Sequence, residues 1–201
     1  VPAPSQQLWV AGRIPTAAQF NDDIRDAINF FKTPPRAQAT HNATISRPNR
    51  TSWSVIPWNT TVTETDGSSM HNPGSNAGQR LVAQSAGYYY CWCNLTWEDH
   101  TAQPFDGTRG CAIRKNSAGS AAGGELVGID QRHCKTNAIG SHGASQQGCD
   151  GYVFLAVNDY IEAFAYDADN DTVGFPSTDV GCYLEPQTWS AQRFGMIWVS
   201  V

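Results

Sequence analysis

Apolar and polar positions follow two different periods along this 201-residue chain, and the change falls at a pair of prolines. Between Thr16 and Phe31, the residues Phe20, Ile24, Ala27, Ile28 and Phe31 recur at helical spacing, with Asn21, Asp22, Asp23, Arg25, Asp26 and Asn29 on the other side. That rhythm predicts a helix with one apolar stripe. Thr16 and Gln19 stand three apart, where a hydroxyl and an amide satisfy the orphan N–H groups of a helix start. Thr33-Pro34-Pro35 ends it, because proline cannot continue the ladder and restricts the residue before it. Ala17, Phe20, Ile24, Ala27 and Phe31 also fit a 3-4 seam, shorter than a free-standing coiled coil requires. The stripe is therefore expected either to lie on its own domain or to dock on sister chains or a larger assembly.

Beyond Pro35 the period shortens to two. Runs rich in Thr, Val, Trp and Tyr alternate with Gly, Asn, Asp, Ser and Pro punctuation. Strands are predicted at 37–41, 51–56, 59–65, 79–83, 87–97, 109–115, 125–132, 145–157, 160–167 and 194–201. This pattern implies an all-β domain over residues 36–201, a two-sheet sandwich of eight to ten strands, preceded by a short N-terminal helix within residues 1–35. One strand stands out. Along Gly87–Trp97, Tyr89, Cys91, Cys93, Leu95 and Trp97 share one face, while Tyr88, Tyr90, Trp92, Asn94 and Thr96 share the other. Neither face is polar, so both are expected to be covered, inside one chain or by another copy. The last strand repeats the theme, with Phe194, Met196 and Trp198 on one face, and is expected to be central in its sheet.

Composition narrows the function. Charged residues make up 15% of the chain, hydrophobic ones 40%, with 7 Trp, 7 Tyr and 8 Phe, enough for a packed core. The net charge of −5, with no Lys/Arg run, argues against nucleic-acid binding. No apolar stretch approaches the ~20 residues of a membrane span, so membrane insertion is not expected. The first residues show no secretory leader, which suggests synthesis in a cytosol with release by another route, or a leader already removed.

Candidate chemistry is sparse. No nucleophile elbow, His-Glu-x-x-His pair or phosphate loop occurs, so an enzyme is not expected. Glu98-Asp99-His100 alternate across a strand end and would not converge on one bond. Asp167, Asp169 and Asp171 offer alternating oxygen ligands, a weak calcium candidate without the distal Glu and central Gly; no other metal or cofactor is expected. Six cysteines divide by position. Cys91, Cys93 and Cys111 are read as buried, inert thiols ahead of a bridge to Cys111. Cys134 and Cys149 flank a polar loop and are the first choice for a disulfide, ahead of free thiols or a zinc site with His133 and His142. Cys182 is unassigned. Trp58, Trp92, Trp97 and Trp189 are possible platforms for stacking sugars, although Trp in a sandwich is more often core or interface.

Two resemblances follow from these residues. Gly87-Tyr88-Tyr89-Tyr90-Cys91-Trp92-Cys93 resembles the G-x-Y-x-F-x-F core strand of C1q/TNF-like jelly rolls, with cysteines in the last two aromatic places. Ala112-Ile113-Arg114-Lys115-Asn116 resembles that fold's strand ending in a Lys-Asn turn. Leu155-Ala156-Val157-Asn158-Asp159-Tyr160-Ile161-Glu162 resembles its L-x-x-G-D-x-V-E hairpin, with Asn158 where glycine is usual. At the front, TAAQFNDDIRDAINFFKTPPRAQATHN resembles the opening of small virion proteins of phages infecting actinobacteria, where it precedes a C1q-like domain.

The first resemblance implies a homotrimer with apolar faces, built around Tyr89, Cys91, Cys93, Leu95, Trp97, Phe194, Met196 and Trp198, buried in the core or about a threefold axis. The second implies a phage structural protein on the virion surface. Its anchor helix, through Phe20, Ile24, Ala27, Ile28 and Phe31, would attach to other tail or capsid proteins. A tail-associated adhesin for host cell-wall polysaccharide is the first expectation. A capsid decoration protein that cements threefold positions without a ligand is the alternative.

Overall fold

The structure is a computed structural model that describes residues 12, 14, 16–41, 45–46, 52–65, 70–72, 79–99, 106–135, 145–169, 182–184 and 192–200. Helix α1 spans Ala17–Lys32. Its start is the expected capping box: the Gln19 backbone N–H donates to the Thr16 hydroxyl (3.2 Å), and the Thr16 N–H to the Gln19 side chain (3.1 Å). Its end is closed by the Thr33 N–H on the Asn29 carbonyl, directly before the two prolines.

Two antiparallel sheets follow. Among the described residues the larger holds seven strands: β1 (Arg36–Thr40), β2 (Ile45–Ser46), β4 (Thr60–Glu64), β6 (Gly87–Asp99), β9 (Ser145–Leu155), β11 (Cys182–Leu184) and β12 (Arg193–Ser200). β6 pairs with β9 along one edge and with β12 along the other, and the order continues through β1 to β4. β11 takes up the far end of β6 and carries β2. The smaller sheet holds β3 (Ser54–Val55), β5 (Arg80–Val82), β7 (Asp106–Lys115), β8 (Glu125–Lys135) and β10 (Tyr160–Asp169), with β10 between β7 and the short β3 and β5. β12 lies between β6 and β1, the central place expected of a closing strand this apolar.

The core fills the space between the sheets. Tyr89, Cys91, Cys93, Leu95 and Trp97 from β6 and Phe194, Met196 and Trp198 from β12 all point inward, against Cys111 and Ile113 of β7 and Ile161, Ala163 and Ala165 of β10. These eight residues of β6 and β12 are thus interior to one chain, and what these two strands can offer another copy is their opposite face.

Several expectations shift. The strand expected over 51–56 shrinks to Ser54–Val55, while β6, β8 and β10 run past their expected ends to Asp99, Lys135 and Asp169. Of the two packings expected for helix α1, its stripe does not take the first, against its own domain. Its stripe of Phe20, Ile24, Ile28 and Phe31 faces outward, Phe31 being 70% exposed, and Ala27 is half-buried. Phe30, off the stripe and 1% exposed, holds the helix to the sandwich by an edge contact with Trp198 at 4.5 Å between ring centres.

Candidate self-association face and the thiol cluster

The motif residues meet at one end of the sandwich. Asn116 follows β7 at φ 53° and Asn158 turns between β9 and β10 at φ 72°. Both adopt the left-handed backbone that asparagine tolerates better than most residues. The Asn116 amide donates to Asp159 (2.8 Å), and its oxygen accepts from the Tyr160 N–H (3.0 Å). Lys115 reaches Asp159 (3.1 Å) and the Phe154 carbonyl (2.8 Å). Burial raises the Asp159 carboxyl, but hydrogen bonds from Asn116 and the Ala156 N–H, together with Lys115, bring it below its ordinary value. Glu162, fully buried, accepts from Arg80 (2.9 Å), the Gly119 N–H (2.9 Å) and the Ser117 hydroxyl, and so pins the loop after β7. These groups are mutually satisfied and make a structural clamp.

The outer face of the larger sheet is different. From β6 it presents Tyr88, Tyr90 and Trp92, and from β9 Tyr152 and Phe154. Tyr152 is 68% exposed, and Tyr88 and Phe154 are also exposed. The rings pair with each other: Tyr90 with Tyr152 at 5.1 Å, Tyr90 with Trp92 at 5.9 Å, and Tyr88 with Phe154 at 5.5 Å. Trp92 lies flat over Gly195 of β12, where any Cβ would collide with its ring. Asp150, opposite Trp92, contributes the one carboxylate of this group. Partial burial, then the charge of and hydrogen bond to Asp150, raise the Tyr90 phenol above its ordinary value.

The edge strand of the smaller sheet, β8, approaches β9 and is largely polar, but it carries two exposed apolar residues. A bulge at Val127 breaks its register with β7, so that Leu126 and Ile129 project on the same face, both exposed. One chain therefore carries an aromatic face on the larger sheet and a separate exposed apolar pair on the edge strand of the smaller sheet.

Of the expected sugar platforms, Trp58 and Trp97 are interior. Trp58 stacks on Phe194 at 5.3 Å, and the Trp97 indole donates to Gln147 (3.2 Å). Both indoles lie in the core rather than at the surface, Trp97 turned inward by the alternation along β6 and Trp58 from the segment between β3 and β4. Trp92 is half-buried on the aromatic face, and Trp189 lies outside the described residues. Asp167 and Asp169 belong to β10 rather than to a loop; Asp167 is buried opposite Arg109, which is not the open oxygen cage of a calcium loop. Asp171 lies outside the described residues.

The expected Cys134–Cys149 bridge is not formed. β8 and β9 approach antiparallel, with Gly128 against Asp150 and Gly151 against Val127, so Cys149 lies level with Ile129. Cys134, opposite Gly107, is five positions further along β8, about 17 Å at strand rise, against a limit of about 7 Å between bridged Cα atoms. Instead Cys91, Cys93, Cys111 and Cys149 form a buried group of free thiols, as read for the first three. Burial pushes the Cys91 thiol up to about 12. The aromatic face was half legible, since β6 is apolar on both sides. The thiol contact was not, because it joins strands in different sheets.

No family model matches the sequence, and no curated protein matches it. Solved structures do match in shape. An Eiger TNF structure from S. frugiperda superposes with a TM-score of 0.53 at 11% identity, covering 83% of this chain and 94% of that one. The crystal structure of murine APRIL at pH 5.0 gives a TM-score of 0.53 at 13% identity, covering 82% and 98%. The domain is a TNF/C1q-like jelly roll.

Proposed function

We propose that this chain is a homotrimeric virion structural protein of a phage, acting as an attachment module rather than an enzyme. The observation that carries the reading is the exposed aromatic face of Tyr88, Tyr90, Trp92, Tyr152 and Phe154, with the exposed pair Leu126 and Ile129 on edge strand β8 as a second apolar site. A large uncovered apolar surface marks a protein contact. Two different complementary surfaces on one chain make a head-to-tail contact, which closes into a ring when the rotation allows. The sequence resemblance to C1q/TNF-like jelly rolls supports a ring of three. The outward stripe of α1 suits docking on a tail or capsid protein, in line with the resemblance of residues 16–42 to phage virion proteins.

A tail-associated adhesin would then bind host-envelope glycan through loops or grooves between copies. The second reading, a decoration protein without a ligand, is favoured by one observation: Trp58 and Trp97 are interior and Trp92 lies on the face that trimerisation would cover. Light scattering on the full chain should report three times 21.9 kDa. Tyr152→Arg should report a single chain with unchanged far-UV circular dichroism. A wild-type chain that stays single at micromolar concentration ends the trimer reading. Electron microscopy of antibody-labelled virions places the protein on tail or capsid, and absence from particles ends the virion reading. Binding to purified host cell-wall polysaccharide separates adhesin from cement.

A further inference from the structure

We propose that Cys111 and Cys149 are the two halves of a disulfide that ties the two sheets of the sandwich together. Their sulfurs are 3.2 Å apart and both residues are buried. Cys111 comes from β7 in the smaller sheet and Cys149 from β9 in the larger, 38 positions apart in the chain. Only a short approach separates this contact from the S–S bond length of about 2.05 Å. Cys93 is the competing partner, since it stands directly opposite Cys149 in the β6–β9 ladder. Facing residues of one sheet, however, hold their Cβ atoms ~4.5–5.5 Å apart, wide of the ~3.8 Å a disulfide prefers. Cys111 meets the Cys93 carbonyl at 3.8 Å and the Cys149 sulfur at closer range. The Cys91 sulfur turns to the Tyr89 carbonyl.

The oxidant is a small-molecule disulfide of the glutathione class. A thiolate from one cysteine attacks it, forming a mixed disulfide and expelling one small thiolate. The second cysteine, deprotonated, attacks the protein sulfur of that mixed disulfide and expels the other. One protein S–S bond forms, the oxidant's S–S bond breaks, and two electrons and two protons end on two small thiols. In the closed sandwich this exchange is slow. The contact with Cys111 and then burial hold the Cys149 thiol well above its ordinary range. For Cys111 the lowering by Cys149 is outweighed by Cys93 and by burial. The bond therefore forms as the sheets close under oxidising conditions, and each form, once folded, is long-lived.

The inference does not depend on trimerisation. The full chain is unfolded with reductant, refolded in a reduced/oxidised glutathione buffer, alkylated, digested and mapped without reduction. A peptide pair joined through Cys111 and Cys149 is expected, lighter by two hydrogens than the free pair. It should persist in Cys93→Ala and vanish in Cys111→Ala. Unfolding midpoints should be higher for the oxidised than for the reduced wild type, on the order of 10 °C, with no such difference in Cys111→Ala. Fully free thiols after oxidative refolding, or a bridge from Cys149 to Cys93 or Cys134 instead, overturn the proposal. Should Cys111→Ala fail to fold, the wild-type map alone decides.

Discussion

Asn158 holds φ 72° in the turn between β9 and β10, with its N–H on the Ala83 carbonyl at 2.8 Å. An alanine there meets the left-handed penalty of about 1–2 kcal/mol, whereas glycine carries none. Asn158→Ala should lower the urea unfolding free energy by about 1 kcal/mol, and Asn158→Gly should leave it nearly unchanged. His41 sets a second residue-scale effect. Burial lowers its pKa from 6.5, outweighing the hydrogen bond from its Nδ1 to the Pro57 carbonyl (2.5 Å) that favours the charged ring. The unfolded chain then takes up the proton at higher pH than the folded one. Stability is full above the unfolded value and falls as pH drops through 6.5 toward the lower folded value. Urea midpoints measured from pH 7.5 down to 5.5 should decline in wild type and decline less in His41→Gln. The turn was legible because asparagine's tolerance is a local property. The histidine was not, because nothing within its own stretch says that Pro57 lies against it.

At the scale of elements, the helix shows how far periodicity reaches. The spacing of Phe20, Ile24, Ala27, Ile28 and Phe31 located α1, and Thr16 and Pro34 located its ends. Spacing cannot say which surface the stripe meets. The buried Phe30, off the stripe, packs closest on Trp198, which the chain reaches only at its far end, and the Phe31 ring meets the same indole at 6.4 Å. Phe30→Ala removes about 2 kcal/mol of burial from that attachment. Amide exchange across residues 17–32 should rise more than tenfold, with exchange in β6 and β12 unchanged. Equal loosening of the strands would show instead that α1 is part of the folding core. The strands behave similarly. Alternation found β6 and β12, while the ends of β8 and β10 run on because the long ladder with β7 carries them past their apolar stretch.

For the whole molecule, the question is which side of a doubly apolar strand faces solvent in one chain. Tyr89, Cys91, Cys93, Leu95 and Trp97 fill the space between the sheets, leaving Tyr88, Tyr90 and Trp92 outside. A charged residue at position 152 lies on that outer face, and its cost in the single chain is that of a surface change. In a trimer it would place an arginine in a covered apolar contact, which is why Tyr152→Arg should dissociate copies without unfolding them. Replacing Gly195 with valine should weaken association by another route, because the Trp92 ring would have to leave its place.

The pattern of residues was enough for the class of fold, the helix and its cap, the long strands and the asparagine turns, since each is decided by neighbours within a few positions. Which face of β6 turns inward, that Cys149 meets Cys111 rather than Cys134, and that the α1 stripe is left uncovered were decided by the pairing of the sheets. Those contacts join positions tens of residues apart, and their geometry is set by strand order and register, which no local period encodes.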